Sequence, residues 1–344
     1  MKYLPLLLIV IAFACNSGTP QNNGITVETY FAHTDSGVQT AGIKMIPIAT
    51  PVGTFKVWTK TIGNNPRIKV LLLHGGPAMT HEYLECFESF FPKEGFEMIE
   101  YDQLGSFYSD QPTDSSLWTT ERFVEEVEQV RIALGLDKDN FYLLGNSWGG
   151  ILGYEYALKY QQHLKGLIIC NMMASAPDYA KYNLVLQSQM DKKIVDSINQ
   201  MQSAGDVANP RYTALLEGYY NEHLCRIIPN PDPVQRAFKH LNPVIYTMMQ
   251  GPSEFGISGR LANWDIKDRL KEIAIPVLNV GAKFDTMDPE HMKWESTQVQ
   301  QGRYLYCPNG SHLAMWDDQA HFYPGVIQFI KDVDAGTFTA DKHE

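Results

Sequence analysis

The sequence lacks the residue groupings that bind catalytic metal ions in proteins. It contains no H-E-x-x-H motif, and its five cysteines and ten histidines form no closely spaced Cys/His cluster. It also lacks internal repeats and low-complexity tracts, which argues against a repeat array or a disordered chain. These absences disfavour a metalloenzyme, and nothing in the sequence implies a cofactor.

Basic residues are scarce as well. The chain has 28 Lys and Arg against 39 Asp and Glu, a formal net charge of −11 and a sequence pI of about 5.4. This acidic balance argues against nucleic acid or an anionic membrane surface as the partner. Hydrophobic residues make up 44% of the 344 residues, which suffices for a large core in one α/β domain with an insertion.

The apolar run at the start of the chain, Leu4–Phe13, is too short to span a bilayer. It follows Lys2 and precedes A-F-A-C, which resembles a bacterial lipoprotein signal in which Cys15 is lipidated and becomes the first mature residue. We therefore expect a signal segment at 1–15 and a polar tether at 16–40. The protein would lie in the bacterial cell envelope, with the lipid as its membrane contact. The alternative is cleavage after A-F-A and secretion.

The other cysteines are widely spaced and match no metal-binding pattern. Two of them, Cys170 and Cys307, lie in apolar, strand-like runs. Such positions favour buried free thiols over a disulfide, although the sequence does not determine pairing.

The stretch F-Y-L-L-G-N-S-W-G-G at 141–150 organises the rest of the chain. Phe141–Leu144 is apolar and strand-like, the next residues fit G-x-S-x-G, and Ile151–Tyr160 has helical periodicity. A strand, a tight turn and a helix are the setting of a nucleophile elbow, which exposes its serine, here Ser147. Small flanking residues let the strand and the helix approach each other.

Strand and helix patterns alternate on both sides of this motif, which predicts a mostly parallel sheet with helices on both faces. A hairpin precedes it, and one stretch interrupts it with amphipathic helical patterns and several prolines. We interpret that stretch as a helical cap inserted between core strands. The expected organisation is core, cap and core at 41–174, 175–265 and 266–335. The predicted strands are Lys69–Leu73, Phe96–Tyr101, Phe141–Leu144, Leu167–Asn171, Ile275–Val280 and Arg303–Cys307.

Candidate partners for the serine follow it in the order that α/β-hydrolases use, Ser, then Asp, then His. Asp285 comes after a strand in G-A-K-F-D, and His312 comes after the last strand in P-N-G-S-H. Ser147, Asp285 and His312 are therefore the expected catalytic triad. Asp288 precedes a proline and is typical of a helix N-cap, and His321 lies in the final helix.

A tetrahedral intermediate also needs backbone N–H donors. The residue after the nucleophile, Trp148, supplies one, and the H-G-G loop after an earlier strand supplies the other. We assign the second donor to Gly76, because Pro77 has no N–H. His74 is expected to be a structural loop residue. Asp102, at the end of another strand, is expected to orient its local loop.

Three segments together resemble the proline iminopeptidases and tricorn-interacting aminopeptidases. They are L-H-G-G-P-A-M-T-H-E-Y (73–83), Y-D-Q-L-G-S-F-Y-S-D (101–110) and G-N-S-W-G-G (145–150), and the likeness extends over roughly 45–330. The resemblance implies an α/β-hydrolase-fold serine exopeptidase that removes one N-terminal residue, preferably proline, through an acyl-enzyme. Its substrate would be a peptide, or an amino-acid derivative, with a free N-terminus.

The segment Y-T-M-M-Q-G-P-S-E-F-G-I-S-G (246–259) resembles the family's lid. The resemblance implies that Glu254 contacts the substrate's amino group, with Tyr246 nearby. From the residues alone, a solvated loop carboxylate is the preferred interpretation of Glu254. Trp148, Tyr246 and Phe255 are candidates for an apolar pocket around a pyrrolidine ring, or for ordinary core residues.

The chain departs from the family pattern at three positions. Ala78 and Phe107 stand where glycines are usual, and Thr286 stands where a second amine-binding glutamate often follows the triad aspartate. Loss of one carboxylate leaves open an esterase or amino-acid amidase with relaxed amine recognition. A non-catalytic binding protein of the same fold is a third interpretation, disfavoured by the intact set of serine, aspartate and histidine.

Overall fold

The structure, a computed structural model, describes residues 42–341. The expected signal segment, the tether and Cys15 lie outside the described residues. The described chain forms one eight-stranded sheet in the order β1-β2-β4-β3-β5-β6-β7-β8. The strands are β1 (Ile43–Thr50), β2 (Gly53–Ile62), β3 (Lys69–Leu73), β4 (Glu97–Asp102), β5 (Phe141–Asn146), β6 (Gly166–Cys170), β7 (Pro276–Ala282) and β8 (Gln301–Cys307).

Strand β2 is antiparallel to both of its neighbours, and every other pairing from β3 to β8 is parallel. The expected hairpin is β1 and β2, joined by a two-residue turn at Pro51 and Val52. The prediction of an α/β-hydrolase fold with a mostly parallel sheet is confirmed. Several short elements were not predicted, among them a 3-10 helix at His81–Ser89 that follows the loop after β3.

Helices follow most of the strands. The α-helices of the described chain are α1 (Thr120–Ala133), α2 (Trp148–Tyr160), α3 (Ala176–Gln187), α4 (Lys192–Ser203), α5 (Pro210–His223), α6 (Asp232–His240), α7 (Pro243–Met249), α8 (Pro289–Gln298), α9 (Ala314–Asp317) and α10 (Gln319–Asp334). Helix α1 begins after Thr119, whose side chain accepts a hydrogen bond from the Arg122 amide, as an N-cap threonine does. Helix α2 begins at Trp148, three residues before the predicted start.

The sheet buries a hydrophobic cluster on each face, because successive side chains of a strand point to opposite sides. In β3, Leu71 and Leu73 belong to the cluster under α1 and α2, while Val70 and Leu72 belong to the cluster under α10. This explains the continuous apolar run at β3, since a strand covered on both faces has no polar side. Because β3 to β8 pair parallel to one another, their carboxyl ends lie along one edge of the sheet.

Helices α3 to α7 form the insertion between β6 and β7, hereafter the cap. The chain enters and leaves the cap side by side. Ser175 and Asp265 form an antiparallel bridge, and the Ile266 amide donates to the Ala174 carbonyl (3.0 Å). This paired neck holds the cap over the carboxyl edge of the sheet, where ligands of parallel sheets bind.

No helix within residues 42–341 is long and apolar enough to cross a membrane. Cys86, Cys170, Cys225 and Cys307 are free and buried, as the apolar patterns predicted for Cys170 and Cys307.

Candidate active site

Ser147 stands alone between β5 and α2, in the turn that the motif predicted. Its backbone angles are φ 57° and ψ −127°, a strained conformation for a residue with a side chain. A Cβ atom on Gly145 would lie 2.0 Å from the Gly149 carbonyl oxygen. A Cβ atom on Gly149 would lie 2.1 Å from the Leu73 carbonyl oxygen. The two motif glycines are therefore required by close backbone approach.

His312 and Asp285 form a buried pair beside this turn. The His312 Nδ1 lies 2.7 Å from the Asp285 Oδ1, and the aspartate is fully buried. The Met287 amide donates to the same carboxylate oxygen (3.1 Å). Burial lowers the pKa of His312, but the negative charge and hydrogen bond of Asp285 outweigh burial, so the pKa lies above its ordinary value. The carboxylate thus favours an imidazolium.

Asn171 holds the aspartate of this pair in place. No role for it was predicted from the sequence. Its side-chain amide donates to the Asp285 Oδ2 (2.7 Å) and to the Ser311 carbonyl (3.2 Å). Its backbone has φ 56°, which asparagine tolerates better than most residues. Asn171 therefore ties the aspartate to the loop that carries His312. The only signal in the sequence was its position at the carboxyl end of a buried strand.

Thr286 is fully buried and faces the same pair rather than open space. Its hydroxyl lies 3.4 Å from the Asp285 Oδ1 and 3.5 Å from the His312 Nδ1. A glutamate with this side-chain direction would bury a second carboxylate against Asp285, at a large electrostatic cost.

The two alternative residues have other surroundings. Asp288 is the N-cap of α8 and accepts a hydrogen bond from the Glu290 amide (3.0 Å). His321 is exposed on α10 and pairs with Asp318 (2.7 Å).

A cavity of about 350 Å³ lies between the carboxyl edge of the sheet and the cap. Ser147, His312, Gly76 and Glu254 all line it. The structure therefore brings the predicted nucleophile, base, oxyanion-hole glycine and lid carboxylate to one cavity. Partial burial matters chemically, because hydrogen bonds and charges act more strongly away from bulk water.

The loop after β3 leaves one cavity-lining glycine amide available. The Gly75 amide donates to the Tyr83 hydroxyl (2.7 Å), which in turn donates to the Asn146 Oδ1 (2.9 Å). Gly76 follows with φ 108° and lines the cavity. The Trp148 amide is the first of α2, so it has no acceptor within the helix. The amides of Gly76 and Trp148 therefore stay the predicted oxyanion-hole donors.

Glu254 is held by tyrosines of the cap and is only 8% exposed, so it is not a solvated loop carboxylate. The Tyr246 hydroxyl donates to its Oε1 (2.6 Å), and the Tyr179 hydroxyl lies 3.3 Å from its Oε2. The Glu254 amide donates to the Tyr220 hydroxyl (3.3 Å). Tyr246 was a candidate from the sequence, whereas Tyr179 and Tyr220 were not, because they lie in cap helices far from Glu254 along the chain.

Of the three aromatic residues suggested for an apolar pocket, only Tyr246 lines the cavity. The Trp148 ring is buried against Phe123, and its Nε1 donates to the Gln103 Oε1 (2.7 Å). Phe255 packs inside the cap against Tyr219. Trp148 and Phe255 therefore do not line the pocket. Both rings are buried in hydrophobic cores by tertiary packing.

The two remaining sequence candidates orient loops. The His74 Nδ1 donates to the Gly75 carbonyl (2.8 Å), and its Nε2 accepts from the Gln103 amide (3.1 Å). Burial lowers the pKa of His74, which favours this neutral form. Asp102 accepts from the His81 amide (2.7 Å) and from the Tyr108 amide (3.3 Å).

Within residues 42–341, no group of three or more His, Cys, Asp and Glu side chains is arranged to hold a metal ion.

Comparison with known proteins assigns this chain to a family. The α/β hydrolase fold family matches residues 69–211. The proline iminopeptidase of Flavobacterium johnsoniae is 68% identical over 291 residues, which cover 84% of this chain and 98% of that protein. The proline iminopeptidase of Elizabethkingia meningoseptica is 65% identical over 297 residues, which cover 86% of this chain and 100% of that protein.

Among solved structures, the proline iminopeptidase of Mycobacterium smegmatis superposes with a TM-score of 0.77 at 28% identity, over 86% of this chain and 99% of that one. The sequence identity to the two bacterial relatives extends over nearly their whole lengths. The chain therefore belongs to the proline iminopeptidase family of α/β hydrolases.

Proposed function

We propose that this protein is a serine aminopeptidase that releases an N-terminal residue, preferably proline, from peptides. One observation carries the proposal: a strained serine, a histidine–aspartate pair and a buried carboxylate share one cavity. The names of the relatives support it, since they are proline iminopeptidases. No cofactor is needed for the chemistry described below.

The reaction divides into two acyl transfers. His312 accepts the Ser147 proton as the hydroxyl oxygen attacks the scissile carbonyl, and the amides of Gly76 and Trp148 stabilise the resulting oxyanion. His312 then gives that proton to the leaving amine, and the prolyl group remains esterified to the serine. Water, deprotonated by the same histidine, hydrolyses this ester and restores the serine. Asp285 holds the imidazole and stabilises its charged form.

Glu254 supplies the requirement for a free N-terminus. A buried ammonium is costly unless it is paired, and Glu254 is the carboxylate among the described residues that line the cavity. The tyrosine hydroxyls hold that carboxylate in one place. A carboxylate at a fixed distance from Ser147 lets only the first peptide bond of a chain reach the nucleophile.

Glu254→Gln should lower kcat/KM for a proline arylamide by roughly a hundredfold to a thousandfold. Gln keeps the shape of the side chain but leaves the substrate's ammonium without its counter-charge, and losing one partner of a buried pair costs about 3–5 kcal/mol. Steady-state kinetics with the arylamide and with an aryl ester that has no amine would measure this. The ester should lose little.

The matched control is Glu217→Gln, which neutralises an exposed carboxylate on cap helix α5 and should change neither rate. If Glu254→Gln slows the arylamide and the ester equally, Glu254 supports the cap rather than the amine. The alternative of an esterase or amino-acid amidase would then be preferred.

We further propose that the chain is anchored in the bacterial cell envelope by lipid on Cys15. The motivation is the sequence alone, a short apolar run followed by A-F-A-C. Cys15→Ser should move the protein from the membrane fraction to the soluble fraction or leave it unprocessed, because the lipid provides the membrane affinity. Fractionation and the mass of the mature N-terminus would measure this, with Ser17→Ala as the control. An unchanged fraction and an unchanged mass in Cys15→Ser would exclude the anchor.

A further inference from the structure

We propose that the cavity selects against substrates in which the residue after the scissile bond carries a free carboxylate. Free dipeptides would be poor substrates, whereas dipeptide amides with an apolar second residue would be good ones. This inference rests on the proposed aminopeptidase function and specifies its substrate class.

The position of the leaving residue follows from the chemistry of the two ends of the cavity. Glu254 binds the substrate's amine on the cap side. His312 gives its proton to the leaving amine, so the residue released with that amine lies on the His312 side of Ser147.

The wall on the His312 side begins with two leucines. The His312 amide donates to the His223 carbonyl (3.0 Å), and the Leu313 amide donates to the Leu224 carbonyl (2.9 Å). This short ladder places Leu224 and Leu313 next to the general base, and both side chains line the cavity.

The oxyanion loop and helix α6 continue this wall. The Asn242 amide donates to the Ala78 carbonyl (3.0 Å), which brings the end of α6 against the loop after β3. Met79, Phe238 and Leu241 line the cavity there. Met79 and Phe238 pack on the same hydrophobic cluster as Leu313, whereas Tyr220, beside Glu254, packs on a different cluster inside the cap. The wall facing the leaving residue is therefore apolar.

This wall offers a carboxylate no counter-charge. Among the described residues that line the cavity there is no lysine or arginine, and Glu254 and His312 are its one carboxylate and its one imidazole. Nearby arginines are engaged elsewhere: Arg226 lies over the Phe284 ring (3.6 Å), and Arg236 pairs with Glu82 (2.6 Å).

A free dipeptide would therefore bury its carboxylate among leucines without a counter-charge, since its own ammonium is paired with Glu254. The carboxylate could pair with protonated His312, but that complex would be unreactive, because the histidine must be neutral to accept the serine proton. An amide, or a further peptide bond, carries no charge at that position. The penalty thus applies to the free carboxylate alone.

The test compares Pro-Leu with Pro-Leu-amide as substrates of the wild-type enzyme at neutral pH, with free proline measured as the product. We expect kcat/KM for the amide to exceed that for the free acid by about tenfold to a hundredfold. Equal values for the two compounds would overturn the inference while leaving the aminopeptidase function intact. Cleavage of neither compound would overturn the proposed function, and this inference with it.

Leu241→Arg tests whether the lack of a positive charge in the cavity causes the selection against a free carboxylate. Leu241 is half-buried at the end of α6, so a guanidinium can reach the cavity while the stem stays on apolar surface. The ratio of acid to amide kcat/KM should rise severalfold in this variant and stay at the wild-type value in Leu241→Gln, the uncharged control. If this ratio rises equally in both variants, the selection depends on side-chain size and not on charge, and the inference is overturned.

Discussion

Ser147→Ala should reduce turnover of a proline arylamide by about six orders of magnitude. Alanine keeps the Cβ atom and the backbone of the turn but removes the only atom that attacks the substrate. Ester and amide substrates should lose activity alike, because both acylate the same hydroxyl. The melting temperature should change little, since the hydroxyl lies in the cavity and not in a hydrophobic core.

A fluorophosphonate probe provides a second readout for this serine. Wild-type protein should carry the label on Ser147 by peptide mass mapping, and Ser147→Ala should remain unlabelled. Ser188→Ala, at an exposed position of the cap, is the matched control and should behave as wild type. Full activity in Ser147→Ala, or labelling at another residue, would contradict the mechanism.

Asp285→Asn should lower kcat by about four orders of magnitude, the effect of the corresponding change in other triads. Asparagine preserves the size of the side chain, but it cannot stabilise the imidazolium and it favours the wrong tautomer of His312. The carboxylate is fully buried and accepts hydrogen bonds from Asn171 and Met287, so its loss cannot be compensated by solvent.

The pH profile separates this electrostatic role from simple damage to the fold. Asp285 raises the pKa of His312, and catalysis needs the neutral imidazole, so activity is lost as the pH falls through that pKa. Without the aspartate charge, the acidic limb of the residual kcat profile should shift to lower pH. At the alkaline side, activity on peptides should decline as the substrate's amino group, with a pKa near 8, loses its proton.

Asp288→Asn is the matched control for Asp285→Asn. Asp288 caps helix α8, and asparagine is an equally good N-cap, so this replacement should change stability little and leave the chemistry intact. A large loss of activity in Asp288→Asn, with Asp285→Asn near wild type, would reverse the assignment of the triad aspartate.

Local chemistry explains why much of the site could be located from the sequence. A strained turn between a buried strand and a helix needs small residues at fixed positions, so G-N-S-W-G marks the elbow wherever it occurs. Residues that directly follow parallel strands collect at one edge of the sheet. Asp285 and His312 could therefore be placed beside Ser147 without knowledge of any contact, and the helical cap followed from the change of pattern after β6.

The sequence by itself determined the fold class, the elbow and the strand ends at which the reactive side chains stand, since periodicity and glycine spacing encode local conformation. Tertiary structure alone decided which side chains meet. Asn171 reaches Asp285 across 114 positions of the chain, and Tyr179 reaches Glu254 across 75. Tertiary packing also places the Thr286 hydroxyl beside His312 and buries the rings of Trp148 and Phe255 in hydrophobic cores. Such contacts depend on how helices pack over the sheet, and neither local propensity nor periodicity records that packing.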